Sequence, residues 1–285
     1  MAAIGRLGDA ALPSLATLFE SADPGVVPLA ARMVRSVTTP SAARDEVLGR
    51  HVQHRDRELG RLVMDRLAGP GPSTGATAEL LDGVLHDDVR HAARILSAIV
   101  AMSAGRKGTD ALDAADTPLR RALDDELVLV RERVVAGRMA RHGRQRLGPA
   151  IVGVTAGEPS AALAVEALEV DVGPTESRLV IALLDPHLRP AERLERLIPQ
   201  AGTAADPRDA ENWLQDLVED ADDGWRSAWL RACAIHAAGA RGLLGGVDLA
   251  SARALGDPVV DEELGRVPGG MHARRGMPDS GGASS

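Results

Sequence analysis

At 285 residues the chain is long enough for one or two ordinary cores, and its 45% hydrophobic and 26% charged residues carry enough apolar surface to order most of it. Aromatic residues make up 1%, with Phe19, three tryptophans and no tyrosine, which argues against a sandwich or barrel whose strands would be rich in aromatic and β-branched side chains. The net charge of -8 argues against phosphate-backbone binding, the single Cys233 excludes an intrachain disulfide or thiolate metal cluster, and no apolar run approaches the roughly 18 residues of a membrane span.

In chain order, apolar residues recur at three and four residue spacing in segments separated by Gly, Pro and Asp punctuation. The first unit sets the plan: Ala10 to Glu20 is a predicted helix with Leu12, Leu15, Leu18 and Phe19 on one face, Ser21 to Gly25 is a turn, and Val26 to Val37 is the return helix. Further helices are predicted over Ala42 to Val52, Arg55 to Ala68, Ala76 to Leu85, Asp88 to Ser103, Ala111 to Leu123 and Asp125 to His142. The pattern continues over Gln145 to Thr155, Pro159 to Val172, Thr175 to Leu184, Pro190 to Pro199, Pro207 to Glu219 and Trp225 to Ala240. A weaker pair, Leu249 to Leu255 and Pro258 to Arg266, closes the array.

Asp-Pro steps punctuate it at Asp23-Pro24, Asp185-Pro186, Asp206-Pro207 and Asp257-Pro258. In the last two the Asp is placed to accept hydrogen bonds from orphan amides while Pro takes the first helical position without losing a bond. The expected fold is all-α, an α-solenoid of stacked antiparallel helix pairs. Its expected organisation is an N-terminal helical block over 1–68, a flexible loop over 69–75, a main array over 76–267 and a disordered tail over 268–285.

Val84-Leu85-His86-Asp87-Asp88-Val89-Arg90-His91-Ala92-Ala93 resembles the inter-helix turn of HEAT repeats, and Ile4 to Pro13 with its Asp23-Pro24 turn is similar, although Pro28 replaces the usual basic residue. Over roughly the second half, Leu123 to Leu127 with Val130 to Arg133, Ala164 to Glu169, Leu183 to Asp185 and Trp229 to Ala234 resemble HEAT segments that bacterial proteins attach to membrane domains of the nucleotide-transporter or major-facilitator type. The resemblance implies a helical-repeat module, either a stand-alone copy or a piece of a larger protein, and carries over no transport or nucleotide-binding residue.

Enzyme signatures fail on their own chemistry. His51 and His54 share a helical face, but a third zinc ligand at fixed spacing is missing and the run reads as solvated surface. The string Asp279-Ser280-Gly281-Gly282 is like part of a trypsin-type nucleophile loop, yet a Gly and Ser rich terminus offers no rigid His, Asp or oxyanion donors. Gly69 to Gly75 lacks the Lys-Ser or Lys-Thr of a phosphate loop.

Two candidate interaction sets remain. Trp213, Trp225 and Trp229 cluster near the C-terminus, with Trp225, Trp229 and Cys233 spaced to share a helical face, either as packing or as an exposed anchor. Arg131, Arg138 and Arg141 belong to a basic run with Arg133, Arg144 and Arg146, which either lines a groove for an acidic partner or pairs with Asp124, Asp125 and Glu126. The expected function is a cytoplasmic, non-catalytic scaffold or regulatory module binding another protein through a concave surface, with no cofactor, metal or small-molecule ligand. The alternatives are a cytosolic regulatory segment of a nucleotide-transporter-like membrane protein, touching a membrane only through that partner, and a helical-repeat DNA-repair enzyme, which a basic groove would require.

Overall fold

Long stretches with an apolar residue every third or fourth position become helices in the computed structural model of the chain, running through Pro118, Pro149 and Pro199, and the fold is all-α. The structure describes residues 8–21, 23–36, 41–53, 57–69, 72–73, 75–104, 110–156, 161–202, 208–220, 224–225 and 227–266, and among these there is no strand. The helices are α1 (Leu12–Phe19), α2 (Val27–Ser36), α3 (Ala42–Gly49), α4 (Arg57–Leu67), α5 (Gly75–Ala104), α6 (Asp110–His142) and α7 (Arg144–Ala156). They continue as α8 (Ala161–Val172), α9 (Pro174–Leu184), α10 (Pro190–Ala201), α11 (Ala210–Glu219), α12 (Ala228–Ala240), α13 (Ala250–Ala254) and α14 (Pro258–Arg266). His54, the Asp206-Pro207 step, residues 4–7 of the N-terminal motif and the tail over 268–285 lie outside the described residues.

Two compact units divide the chain: Met1–Val100 with Asp125–Asp206, and Ala101–Asp124 with Pro207–Ser285. In the first, α1 packs on α2, and both α2 and α3 pack on α4. Their shared core joins Leu15, Phe19, Val34, Leu48 and Met64 to Leu81 and Val84 of α5 and Ala136 and Ala140 of α6. The stretch over 69–75 is flanked on both sides by helices that contribute to this core. Its described residues are tied down, with the Ser73 amide donating to Arg141 O at 3.1 Å and the Arg144 amide donating to Gly69 O at 3.0 Å.

The expected pairs over 76–103 and 111–142 are instead two long helices of 30 and 33 residues, α5 and α6. The segment resembling an inter-helix turn, Val84 to Ala93, and the break expected between Leu123 and Asp125 lie inside them. The physical reason is visible side chain by side chain. Buried Leu81, Val84, Leu85, Val89, Ala92, Ile95, Leu96 and Ile99 carry one apolar stripe straight through the acidic step. Asp87 pairs with Arg90 one turn on, and Asp88, which reads as a cap, is taken by Arg133 of α6 at 3.1 Å. Asp124 likewise pairs within its helix with Arg120 at 3.5 Å. The two helices run antiparallel and come close at Gly137, where an added Cβ would lie 2.6 Å from Leu85 Cδ2.

From α8 to α10 each helix packs on the one before it. Single glycines at positive φ, Gly143 (φ 92°) and Gly173 (φ 85°), are the whole connection between α6 and α7 and between α8 and α9, a backbone geometry that a side chain would strain. In the second unit α12 is the central element, packed against α11, α14 and the short 3-10 turn Leu243–Gly246. Its N-terminus is set by Ser227, whose hydroxyl accepts from the Leu230 amide at 3.2 Å, so Trp225 precedes the helix that was expected to begin with it. The cap expected at Asp257 is present, its carboxylate accepting from the Val259 amide at 2.9 Å.

Candidate interaction surface

The three tryptophans divide. Trp213 on α11 and Trp225 are each only 1% exposed and meet edge to face, with ring centroids 6.1 Å apart. Charged groups fix both rings. The Arg208 guanidinium lies 3.9 Å from the centre of the Trp213 ring and pairs with Asp216 at 2.8 Å, while Trp225 Nε1 donates to the other oxygen of Asp216 at 3.0 Å. The Trp225 amide donates to Asp220, whose other oxygen pairs with Arg231 at 2.7 Å in a fully buried contact. These two rings are packing.

Trp229 is different, because 56% of it is exposed although the following six residues of α12, Leu230 to Ile235, are all buried. The helix next reaches solvent at His236, two turns along the same side. His236 Nδ1 lies 2.8 Å from Glu263 Oε1 of α14, and Arg266 pairs with the other oxygen of Glu263 at 3.3 Å. Cys233, between them in register, is buried, and desolvation, aided by the nearby charge of Glu263, pushes its thiol up to about 11. It stays a protonated, unreactive thiol at neutral pH. The spacing that was expected to align Trp225 with Trp229 does not apply, and Trp229 is exposed while Trp213 and Trp225 are buried.

The arginine run is taken up by carboxylates. Arg138, buried, pairs with Glu176 at 2.7 Å, and Arg141 with Asp82 at 3.1 Å. Arg133 reaches Asp88, Arg144 reaches Asp65 and Arg146 reaches Asp171. Arg131 is half-buried on α6 and has an interaction partner of its own. The carboxylates that pair with Arg133, Arg138, Arg141, Arg144 and Arg146 come from α4, α5, α8 and α9, while Asp124 serves Arg120 and Glu126 lies 3.3 Å from His91. No local pattern in sequence could name partners this remote.

Glu176 is the most loaded of these carboxylates. Burial alone would raise its pKa, but the hydrogen bond from His142 at 2.8 Å and the charges of Arg138, His142 and Arg141 overcome this and hold it below the ordinary carboxylate range. A carboxylate lowered in the folded state contributes stability that is complete above its unfolded value and is lost as pH falls through the folded one. Urea midpoints of the native chain and Glu176→Gln, measured as a function of pH, should therefore differ most near neutrality and converge in acid. A gap that stays constant would show that Glu176 contributes by shape rather than charge.

A cleft of about 670 Å³ opens between α3 and the start of α5, lined by Arg44, Asp45, Ser73, Thr77 and Leu80 among others. Its buried Arg44 is held by Asp45, and the Ser73 hydroxyl donates to Ala140 O, so the polar groups at its base are already engaged. His51 stacks on Phe19 with centroids 4.3 Å apart, which gives that imidazole a packing role. Among the described residues no group of three or more His, Cys, Asp or Glu is placed to hold a metal ion, and no helix is long and apolar enough to cross a membrane. In comparisons with known proteins, no family model, no curated protein and no solved structure matches the chain.

Proposed function

We propose that the chain is a non-catalytic helical-repeat module, HEAT-like in its run of packed helices, that works in the cytoplasm by holding another protein, with Trp229 as an anchor. The observation that carries this is the contrast among the tryptophans, two of them sealed in the core and the third presented on a helix that is otherwise buried around it. An exposed indole suits an interface hot spot, where a large rigid ring is desolvated at small cost in side-chain entropy. The repeat reading rests on α7 to α10, where α8, α9 and α10 each pack on their predecessor, and not on the turn-like segment that lies inside α5.

Quantitative affinity capture with the native chain and with Trp229→Ala tests it. Because the ring is exposed, the variant is expected to fold with unchanged stability while affinity for the captured protein falls about tenfold or more. Recovery of the same proteins in the same amounts by both chains would sink this reading.

A further inference from the structure

Helix α8 carries more apolar surface than its neighbours use. Its sequence AALAVEALEVDV is apolar at every position except three, and such a helix is ordinarily buried on all sides. Here only Ala164 and Leu168 are buried, in contacts with α7 and α9. Leu163 is 73% exposed and Val170 77%, the two most exposed large hydrophobic side chains among the described residues. With exposed Ala167 they stand at i, i+4 and i+7, a single stripe along two turns.

The charges beside the stripe are of one sign. All three charged residues of α8 are acidic; Asp171 is taken by Arg146 of α7 at 2.7 Å, whereas Glu166 and Glu169 are exposed and have no ion-pair partner among the described residues. By helical register Glu166 and Glu169 follow one flank of the stripe, 60° and 120° round from its centre line by the usual step of about 100° per residue. An apolar ridge edged by unpaired carboxylates is complementary to a helix with an apolar stripe edged by cations, since the carboxylates steer and orient what the ridge then desolvates.

We propose that the outward face of α8 docks an amphipathic helix of another protein that carries lysine or arginine beside its apolar stripe. This site lies in the first unit and stands independently of Trp229, which lies in the second. It also accounts for a helix in which Leu163 and Val170 contribute almost nothing to the chain's own core.

Selection of a displayed library of helix-forming peptides, with flank charge randomised, against the full chain tests the proposal. Enriched peptides should pair an apolar stripe with basic flanks, and their affinity should fall at least about tenfold on Leu163→Ser with Val170→Ser. Both side chains are largely exposed, so this double variant keeps the native thermal midpoint and its loss of binding is not a loss of folding. Glu166→Lys with Glu169→Lys should turn the preference toward acidic flanks. Enrichment without a charge bias, peptides that bind the serine variant equally well, or no enrichment would each overturn it. So would sedimentation showing dimers of this chain that Leu163→Ser dissolves, because the face would then belong to a second copy. Trp229→Ala should leave peptide binding unchanged, which keeps failure here distinct from failure of the Trp229 reading.

Discussion

Asp220→Ala is expected to destabilise the second unit by about 3–5 kcal/mol, the cost of leaving a buried charge without its partner. Asp220 and Arg231 are 3% and 5% exposed and 2.7 Å apart, so neither can turn to water when the other is removed. Asp220 also ends α11 in a left-handed conformation at φ 39° and accepts the Trp225 amide at 3.0 Å. Asn tolerates that backbone and keeps an acceptor, so Asp220→Asn separates geometry from charge. It should recover about 1 kcal/mol over Ala and remain well below the native chain, with Arg231 still uncompensated. Adding Arg231→Met to Asp220→Asn should then restore part of the loss, because the stranded cation is gone. All three tryptophans belong to this unit, so urea unfolding followed by tryptophan emission reports on it directly. A native-like Asp220→Asn would mean that the left-handed turn, and not the ion pair, is what matters.

The helical class was legible because periodicity is local. Leu12, Leu15 and Phe19, or Leu147, Ala150, Ile151 and Val154, announce a buried face without reference to anything distant, and these positions are buried. Caps were legible where a side chain bonds within its own turn, as at Asp257. What could not be read is whatever depends on a remote partner. Asp87-Asp88 has the composition of a cap before a helix, but Arg133, 45 residues on, claims Asp88 and the helix runs through. The basic run shows the same limit: in sequence Arg138, Arg141, Arg144 and Arg146 have only the nearby acidic residues as visible partners, and four carboxylates from four other helices pair with them. For the tryptophans, spacing suggested one shared face for Trp225 and Trp229; the Ser227 cap places the helix start between them and sends one ring inward and the other out. The unpaired acidic flank of α8 was in plain view as composition, yet its meaning depends on burial, which one sequence does not state.

Arg193 should be the least replaceable side chain of the first unit. It is buried on α10, and its guanidinium donates to four backbone carbonyls at and beyond the C-terminus of α9: Ala182, Leu183, Asp185 and Leu188. The last carbonyls of a helix have no intrahelical donor, and here one planar fork satisfies two of them together with two carbonyls of the connection to α10. Desolvation, with the charge of Arg131 acting in the same direction and Asp185 opposing it, lowers its pKa to about 10, which still leaves it ionised at neutral pH. Arg193→Met keeps most of the volume and removes every donor, and should cost about 3 kcal/mol or more, since each stranded carbonyl carries a desolvation penalty of about 1 kcal/mol upward. Arg193→Lys keeps the charge but offers a compact ammonium on a flexible stem that cannot span four acceptors, and should regain less than half of that loss. Thermal unfolding followed by far-ultraviolet circular dichroism gives both values. If Lys restored native stability, charge near the helix end would be sufficient and the shape of the guanidinium irrelevant; if Met were neutral, the carbonyls would have found water, and the turn between α9 and α10 would be held by its apolar contacts alone.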